Sequence, residues 1–233
     1  MSKNKVKLRG FVSFPRNFGN KSTASLSVGF NISKKGEKPK WKNTYVKIEA
    51  ELNKIDFTKM EGTQIGITGY LSGEAFTQKN SDKEITILKV IVGSVIVLEK
   101  GSSFKSSIEL ETRVSYIETF GENGLSGSAA VPFKAEGSEG YKYVNIRFVG
   151  KQDLNLKTGD IVVLNGFVTG DAYTPKNSDK EITKIKLYIM SKEVVERTKT
   201  SDDETPDTDG HVPAIKPTTD VPEIDVDEDE IPF

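Results

Sequence analysis

GYLSGEAFTQKNSDKEIT (Gly69–Thr86) recurs 97 residues later as GFVTGDAYTPKNSDKEIT (Gly166–Thr183). The stretch KNSDKEIT is identical in both copies. Its Asn-Ser-Asp centre is turn chemistry, so each copy reads as a hairpin tip between two strands. Further matches lie upstream in the same order. VSFPRNFG (Val12–Gly19) matches VSYIETFG (Val114–Gly121), SVGF (Ser27–Phe30) matches AVPF (Ala130–Phe133), and TYVKI (Thr44–Ile48) matches KYVNI (Lys142–Ile146). Residues 1–100 and 105–196 are thus expected to be two copies of one unit, joined at GSSF (Gly101–Phe104). A period of 97 is too long for a solenoid repeat and indicates domain duplication.

Each unit reads as strands. KVKLRGFVSF, ASLSVGFNIS, TYVKIEA, QIGITGYL and EITILKVIVGSVIV are rich in β-branched and aromatic residues, often alternating with polar ones. A short helical turn is expected around LNKIDFTKM. Five strands per unit suit a small barrel, of which the OB-fold is the commonest five-stranded example. The expected class is all-β, with two tandem OB-fold barrels. After Arg197 the sequence changes to acidic, proline-containing stretches without apolar periodicity, so residues 197–233 are expected to be a disordered acidic tail.

The net charge of −1 hides a split. From Thr198 to Phe233 there are 12 acidic and 2 basic residues, which leaves 31 basic and 22 acidic residues in 1–197, a balance of +9. A basic body with an acidic arm suits a polyanion-binding surface and a detachable competitor for it; solubility alone is the other reading. The absence of cysteine excludes disulfides and thiolate metal sites, and the single histidine, His211, lies in the tail. No nucleotide-binding, metalloprotease or nucleophile-elbow motif is present, so no catalytic residue, metal or cofactor is expected. No stretch approaches the length of a membrane span, and the N-terminus has no apolar signal core, which suggests an intracellular soluble protein.

The body interleaves aromatics with cations, the mixture that single-stranded nucleic acid requires. Rings stack on bases for about 1–3 kcal/mol each, and cations follow the phosphates. In TYVKI, Tyr45 and Lys47 share one face and Val46 and Ile48 the other; in YKYVNIRF, Tyr141, Tyr143, Asn145 and Arg147 oppose Val144, Ile146 and Phe148. Trp41, Tyr45, Tyr141 and Tyr143 are therefore the expected stacking residues, with Phe76 and Tyr173 as further candidates. Phe14 and Phe18 flank Arg16 in a third such stretch. Phe11, Phe148 and Phe167 are expected in the core. Lys42, Lys47, Lys79, Lys83, Arg147, Lys176 and Lys180 are expected to meet phosphates. Identity of KNSDKEIT between copies fits a shared functional constraint or a recent duplication.

These residues resemble the bacterial-type single-stranded DNA-binding proteins, including phage-encoded versions. NKVKLRGFV, SLSVGFN, YVNIRFVGKQ and GDIVVLNGFVTGDAY resemble the family's first four strands in order, and EDEIPF resembles its acidic C-terminal tip. The resemblance places Tyr143, and by the repeat Tyr45, at the stacking position of the third strand, and Phe76 or Tyr173 at that of the fourth. It implies coating and protection of single-stranded DNA during replication, recombination and repair. It also implies recruitment of partner proteins through Asp227, Glu228, Asp229, Glu230, Ile231, Pro232 and Phe233. A terminal carboxylate with Phe233 and Ile231 suits a basic, apolar pocket. Two barrels per chain match a minority subgroup whose chains pair into homodimers with four OB units. The second first-strand, SIELETRVSY, lacks the glycine pattern, and only one tryptophan is present. A double-OB protein adaptor, an RNA-binding protein and an OB-containing nuclease are the alternatives.

Overall fold

The computed structural model describes residues 3–33, 36–77, 84–135, 137–174 and 181–196, and these are all-β. Ten strands follow one another: β1 Asn4–Phe18, β2 Lys21–Asn31, β3 Trp41–Glu51, β4 Gln64–Thr77, β5 Glu84–Val97, β6 Ser107–Phe120, β7 Gly124–Lys134, β8 Tyr141–Lys151, β9 Ile161–Tyr173 and β10 Ile182–Glu196. The helical turn expected around LNKIDFTKM is a 3₁₀ turn at Phe57–Met60, where the Asp56 carboxylate accepts the Thr58 N–H at 3.1 Å. The expected tail and the four lysines Lys79, Lys83, Lys176 and Lys180 lie outside the described residues.

Alternation closes each half on itself. In β1, Val6, Leu8 and Val12 point inward and are buried, while Lys5 and Phe11 point outward. β1 pairs with β2 and β4, β2 with β3, β3 with β5 in parallel, and β5 with β4. That circuit is a closed five-stranded barrel with the OB order of strands. β6–β10 repeat it strand for strand. The glycines shared by the repeat have a steric reason. A Cβ at Gly69 would lie 2.0 Å from the Ile91 carbonyl oxygen, and one at Gly166 would lie 1.9 Å from that of Tyr188. Gly10 makes room for the Ser27 carbonyl, which a Cβ would approach to 2.4 Å. Its counterpart Thr112 instead donates its hydroxyl to Ala130 O at 2.7 Å, so the second copy keeps the strand without the glycine.

The barrels meet through β1 and β6, antiparallel from Asn4↔Leu110 to Lys7↔Ser107. β4 pairs with β1 opposite Val6, and β9 pairs with β6 opposite Ile108, so Val6 and Ile108 are counterparts. They also face each other, so the seam has a local two-fold axis through this pair. The contacts around it come in exchanged pairs. Phe30 of the first barrel fills the space over Gly170, and Phe133 of the second fills the space over Gly73; a Cβ at either glycine would meet the ring at 2.4 Å. Lys42 pairs with Glu181, and Lys142 with Glu84. The connecting segment is tied down as well. Phe104 lies against Gly66, the Arg9 guanidinium donates to Ser102 O at 3.0 Å, and the Arg9 N–H donates to Ser106 Oγ at 3.2 Å. Both barrels belong to one compact unit.

On the outer wall of the first barrel, Glu49 accepts from Lys89 at 2.7 Å and pairs with Lys21 at 3.3 Å. Burial alone would push the Glu49 carboxyl up, but the hydrogen bonds and charges of Lys89 and Lys21 outweigh it and hold it below the ordinary range. A depressed carboxylate contributes stability that is complete above its unfolded-state pKa and is lost as pH falls through the folded-state value.

Gly73→Ala and Gly170→Ala should each destabilise by about 1–3 kcal/mol through overpacking against Phe133 or Phe30; an unchanged urea midpoint would show that the rings are not locked. Glu49→Gln should destabilise by roughly 1–2 kcal/mol at neutral pH and converge with the parent in acid. A gap that stays constant across the titration would argue against the ion pair.

Candidate nucleic-acid interface

The third strand of each barrel carries the candidate rings. In β3 the even positions Thr44, Val46, Ile48 and Ala50 are buried, and in β8 so are Val144, Ile146 and Phe148. The alternate positions face out. Trp41 is 69% exposed, Tyr45 55%, Tyr141 70% and Tyr143 60%, so all four expected stacking residues lie on an open face.

The copies do not align as TYVKI against KYVNI. Lys47 lies opposite Lys89 in the β3–β5 pairing, and Arg147 lies opposite Lys186 in the β8–β10 pairing. Lys89 and Lys186 are counterparts in the repeat, so Lys47 corresponds to Arg147. Trp41 then corresponds to Tyr141, Asn43 to Tyr143, and Tyr45 to Asn145. Tyr45 and Tyr143 are not counterparts. The slip is two residues, which preserves the face and moves the ring along the strand. Trp41 and Tyr141 thus stand at the same height in the two barrels, while Tyr45 and Tyr143 stand at different heights.

In the first barrel a cross-strand row runs Gln64, Phe11, Ser27, Tyr45. Phe11 and Tyr45 stand two strand spacings apart, about 10 Å, with the small Ser27 between them. In the second, Tyr116, Ser128, Arg147 and Lys186 form the row, and Tyr143 faces Pro132. The Tyr116 hydroxyl donates to Glu118 at 3.0 Å, which raises its phenol pKa. Phe76 is half-buried and Tyr173 partly exposed, with the Lys184 ammonium 5.2 Å from the Tyr173 ring centre, a cation–π contact. Phe14 and Phe18 are exposed at the β1–β2 end, as are their counterparts Tyr116 and Phe120.

Two expected phosphate contacts have other partners. Lys47 donates to Glu74 at 2.7 Å, and Lys42 is bound to Glu181 across the seam. Arg147 is exposed on the outer face. Phe148 is fully buried as expected, but Phe11 and Phe167 are not core residues: Phe11 is 50% exposed. Each sits one position out of phase with buried neighbours, Val12 and Leu8 for Phe11, and Val168 and Leu164 for Phe167. Strand parity applied to these two phenylalanines would have placed both outside.

The seam also forms a groove of about 740 Å³. Phe11, Trp41 and Arg9 line it from the first barrel, Phe167 and Tyr188 from the second, and Lys105 from the start of the second unit. Phe167 and Tyr188 stack on each other with centroids 5.1 Å apart and planes 22° from parallel. Among the described residues no cluster of three acidic, histidine or cysteine side chains could hold a metal ion. No helix among them is long and apolar enough to cross a membrane.

No protein-family model matches the chain, and no curated protein matches it in sequence. Solved structures do match. A deletion mutant of the single-stranded DNA binding protein from Thermus aquaticus covers 87% of this chain and 98% of its own, at 11% identity and a TM-score of 0.56. The wild-type Thermus aquaticus protein covers 86% and 96%, at 12% identity and a TM-score of 0.54. A Plasmodium falciparum SSB in complex with ssDNA matches 42% of this chain and 97% of its own, at 22% identity and a TM-score of 0.36. At 11–12% identity the Thermus likeness is one of fold: this chain is two OB-type barrels in tandem, the architecture of the Thermus aquaticus single-stranded DNA binding protein.

Proposed function

We propose that the chain is a single-stranded DNA-binding protein that coats exposed strands without regard to sequence and acts by binding rather than catalysis. What carries this reading is that Trp41, Tyr45, Tyr141 and Tyr143 all stand exposed on the outer faces of β3 and β8, whose alternate aliphatic side chains are buried. Stacking on rings is tolerant of sequence, since every base has a π-face. The charge of the body, +9 over residues 1–197, supports a phosphate-following surface. The fold shared with the single-stranded DNA binding protein of Thermus aquaticus, matched in its wild-type and deletion-mutant structures, supports the same reading. On this reading each half, 1–100 and 105–196, supplies one binding face, and the protein serves replication, recombination and repair inside the cell.

The acidic segment Asp227–Glu230 and the Ile231–Pro232–Phe233 that follows are proposed to recruit partner proteins. Proline limits the conformational freedom Phe233 loses on docking, and the carboxylates suit a basic rim. Chains are further proposed to pair as homodimers with four barrels, which light scattering with and without oligonucleotide tests.

Poly(dT) should quench Trp41 fluorescence saturably, and added salt should weaken the binding. The double variant Tyr45→Ala/Tyr143→Ala should lose about 1–3 kcal/mol for each stacked base without a change in unfolding midpoint. Intact affinity in that variant would remove these faces from the account. Removal of Ile231–Phe233 should abolish partner capture and leave DNA affinity unchanged; a loss of DNA binding would contradict the assigned role. Deletion of the whole acidic arm should tighten DNA binding, most clearly at low salt.

A further inference from the structure

The local two-fold axis relates the residues lining the groove to a second set along the seam, and the chemistry of the two sets differs. In the first, Arg9 is held by Ser102 O at 3.0 Å and Gln64 Oε1 at 3.1 Å. Both acceptors are neutral, so these bonds fix the guanidinium without cancelling its charge. Its symmetry counterpart is Glu111, which accepts the Lys3 N–H at 3.0 Å. Lys105 lines the groove. Its counterpart Lys3 is engaged by Glu193 at 2.9 Å and Glu109 at 3.9 Å. The stacked pair Phe167–Tyr188 has Tyr70 and Ile91 as counterparts, and Phe11 has Arg113. The groove therefore joins rings from both barrels beneath a cationic rim. The related set carries Glu111 for Arg9 and Arg113 for Phe11, keeps a ring, Tyr141, at the position of Trp41, and has only Tyr70 where the stacked pair stands.

We propose that the groove bounded by Phe11, Trp41, Phe167 and Tyr188 is the first-filled site for single-stranded DNA, where one strand crosses from the first barrel to the second ahead of its symmetry mate. This rests on the single-strand-binding reading above and ranks the sites within it. A polyanion with flat bases fits this groove because rings and uncancelled cations coincide there. In the mate, Glu111 opposes phosphates where Arg9 attracts them, and Glu193 and Glu109 neutralise Lys3, which leaves Arg113 as the cation of that set. The two duplicated halves thus supply one strong and one weaker crossing.

Trp41 is the only tryptophan and lines the proposed site, so it reports occupancy directly. The full chain is titrated with an oligo-dT of about 10 nucleotides, within the site size of one or two OB barrels. The first equivalent should quench Trp41. Phe11→Ala and Phe167→Ala should each weaken that phase at least about fivefold. Tyr70→Ala should leave it unchanged and weaken only later binding. Both phenylalanines are partly exposed, so their truncation should spare the fold. Should either lower the melting temperature, Lys105→Gln tests the same groove by reducing the salt slope by about one. Wild-type affinity in both phenylalanine variants, or equal damage from Tyr70→Ala, overturns the ranking while leaving single-strand binding intact. Absence of oligonucleotide binding by the parent protein removes both readings together.

Discussion

Antiparallel pairing of β1 with β6 joins the two barrels into one body. β1 is 15 residues long and serves three neighbours. β4 takes one edge from Val6 to Phe11, β2 takes the other from Phe11 onward, and β6 takes that same edge from Asn4 to Lys7. Without β6, the edge that β2 leaves would present unpaired backbone groups. The same holds for β6, which β1 covers in return. Duplication supplied two such edges, and a two-fold arrangement lets each satisfy the other.

The relative placement of the two outer faces follows from that seam. The exchanged phenylalanines, Phe30 over Gly170 and Phe133 over Gly73, fill the space beside it. The exchanged ion pairs, Lys42 with Glu181 and Lys142 with Glu84, tie the third strand of each barrel to the last hairpin of the other. The rings of β3 and β8 are then fixed relative to one another rather than carried on independently tumbling domains. A strand lying across both barrels meets a preorganised surface, which lowers the ordering cost of binding. Symmetry of the backbone does not extend to the side chains, and the two sets of residues along the seam have diverged in charge and in aromatic content.

Much of this was legible in the sequence. The repeated hairpin gave the duplication, period-2 alternation gave the strands, and the same parity put Trp41, Tyr45, Tyr141 and Tyr143 outside. The third-strand register was misread because TYVKI and KYVNI share Tyr-Val-x-Ile, and a two-residue slip leaves every side chain on its correct face. Phe11 and Phe167 were expected in the core on hydrophobicity alone, against the parity of Leu8, Val12, Leu164 and Val168. The partners of Lys42 and Lys142 were invisible for a different reason. They depend on how two barrels meet, and nothing local in either strand encodes a carboxylate 139 or 58 residues away.

The seam makes the two barrels one cooperative body, and scanning calorimetry of the full chain reads that cooperativity. One transition, with equal calorimetric and van't Hoff enthalpies, is expected. Two resolved transitions, or a calorimetric enthalpy near twice the van't Hoff value, would show that the barrels melt independently and would contradict it.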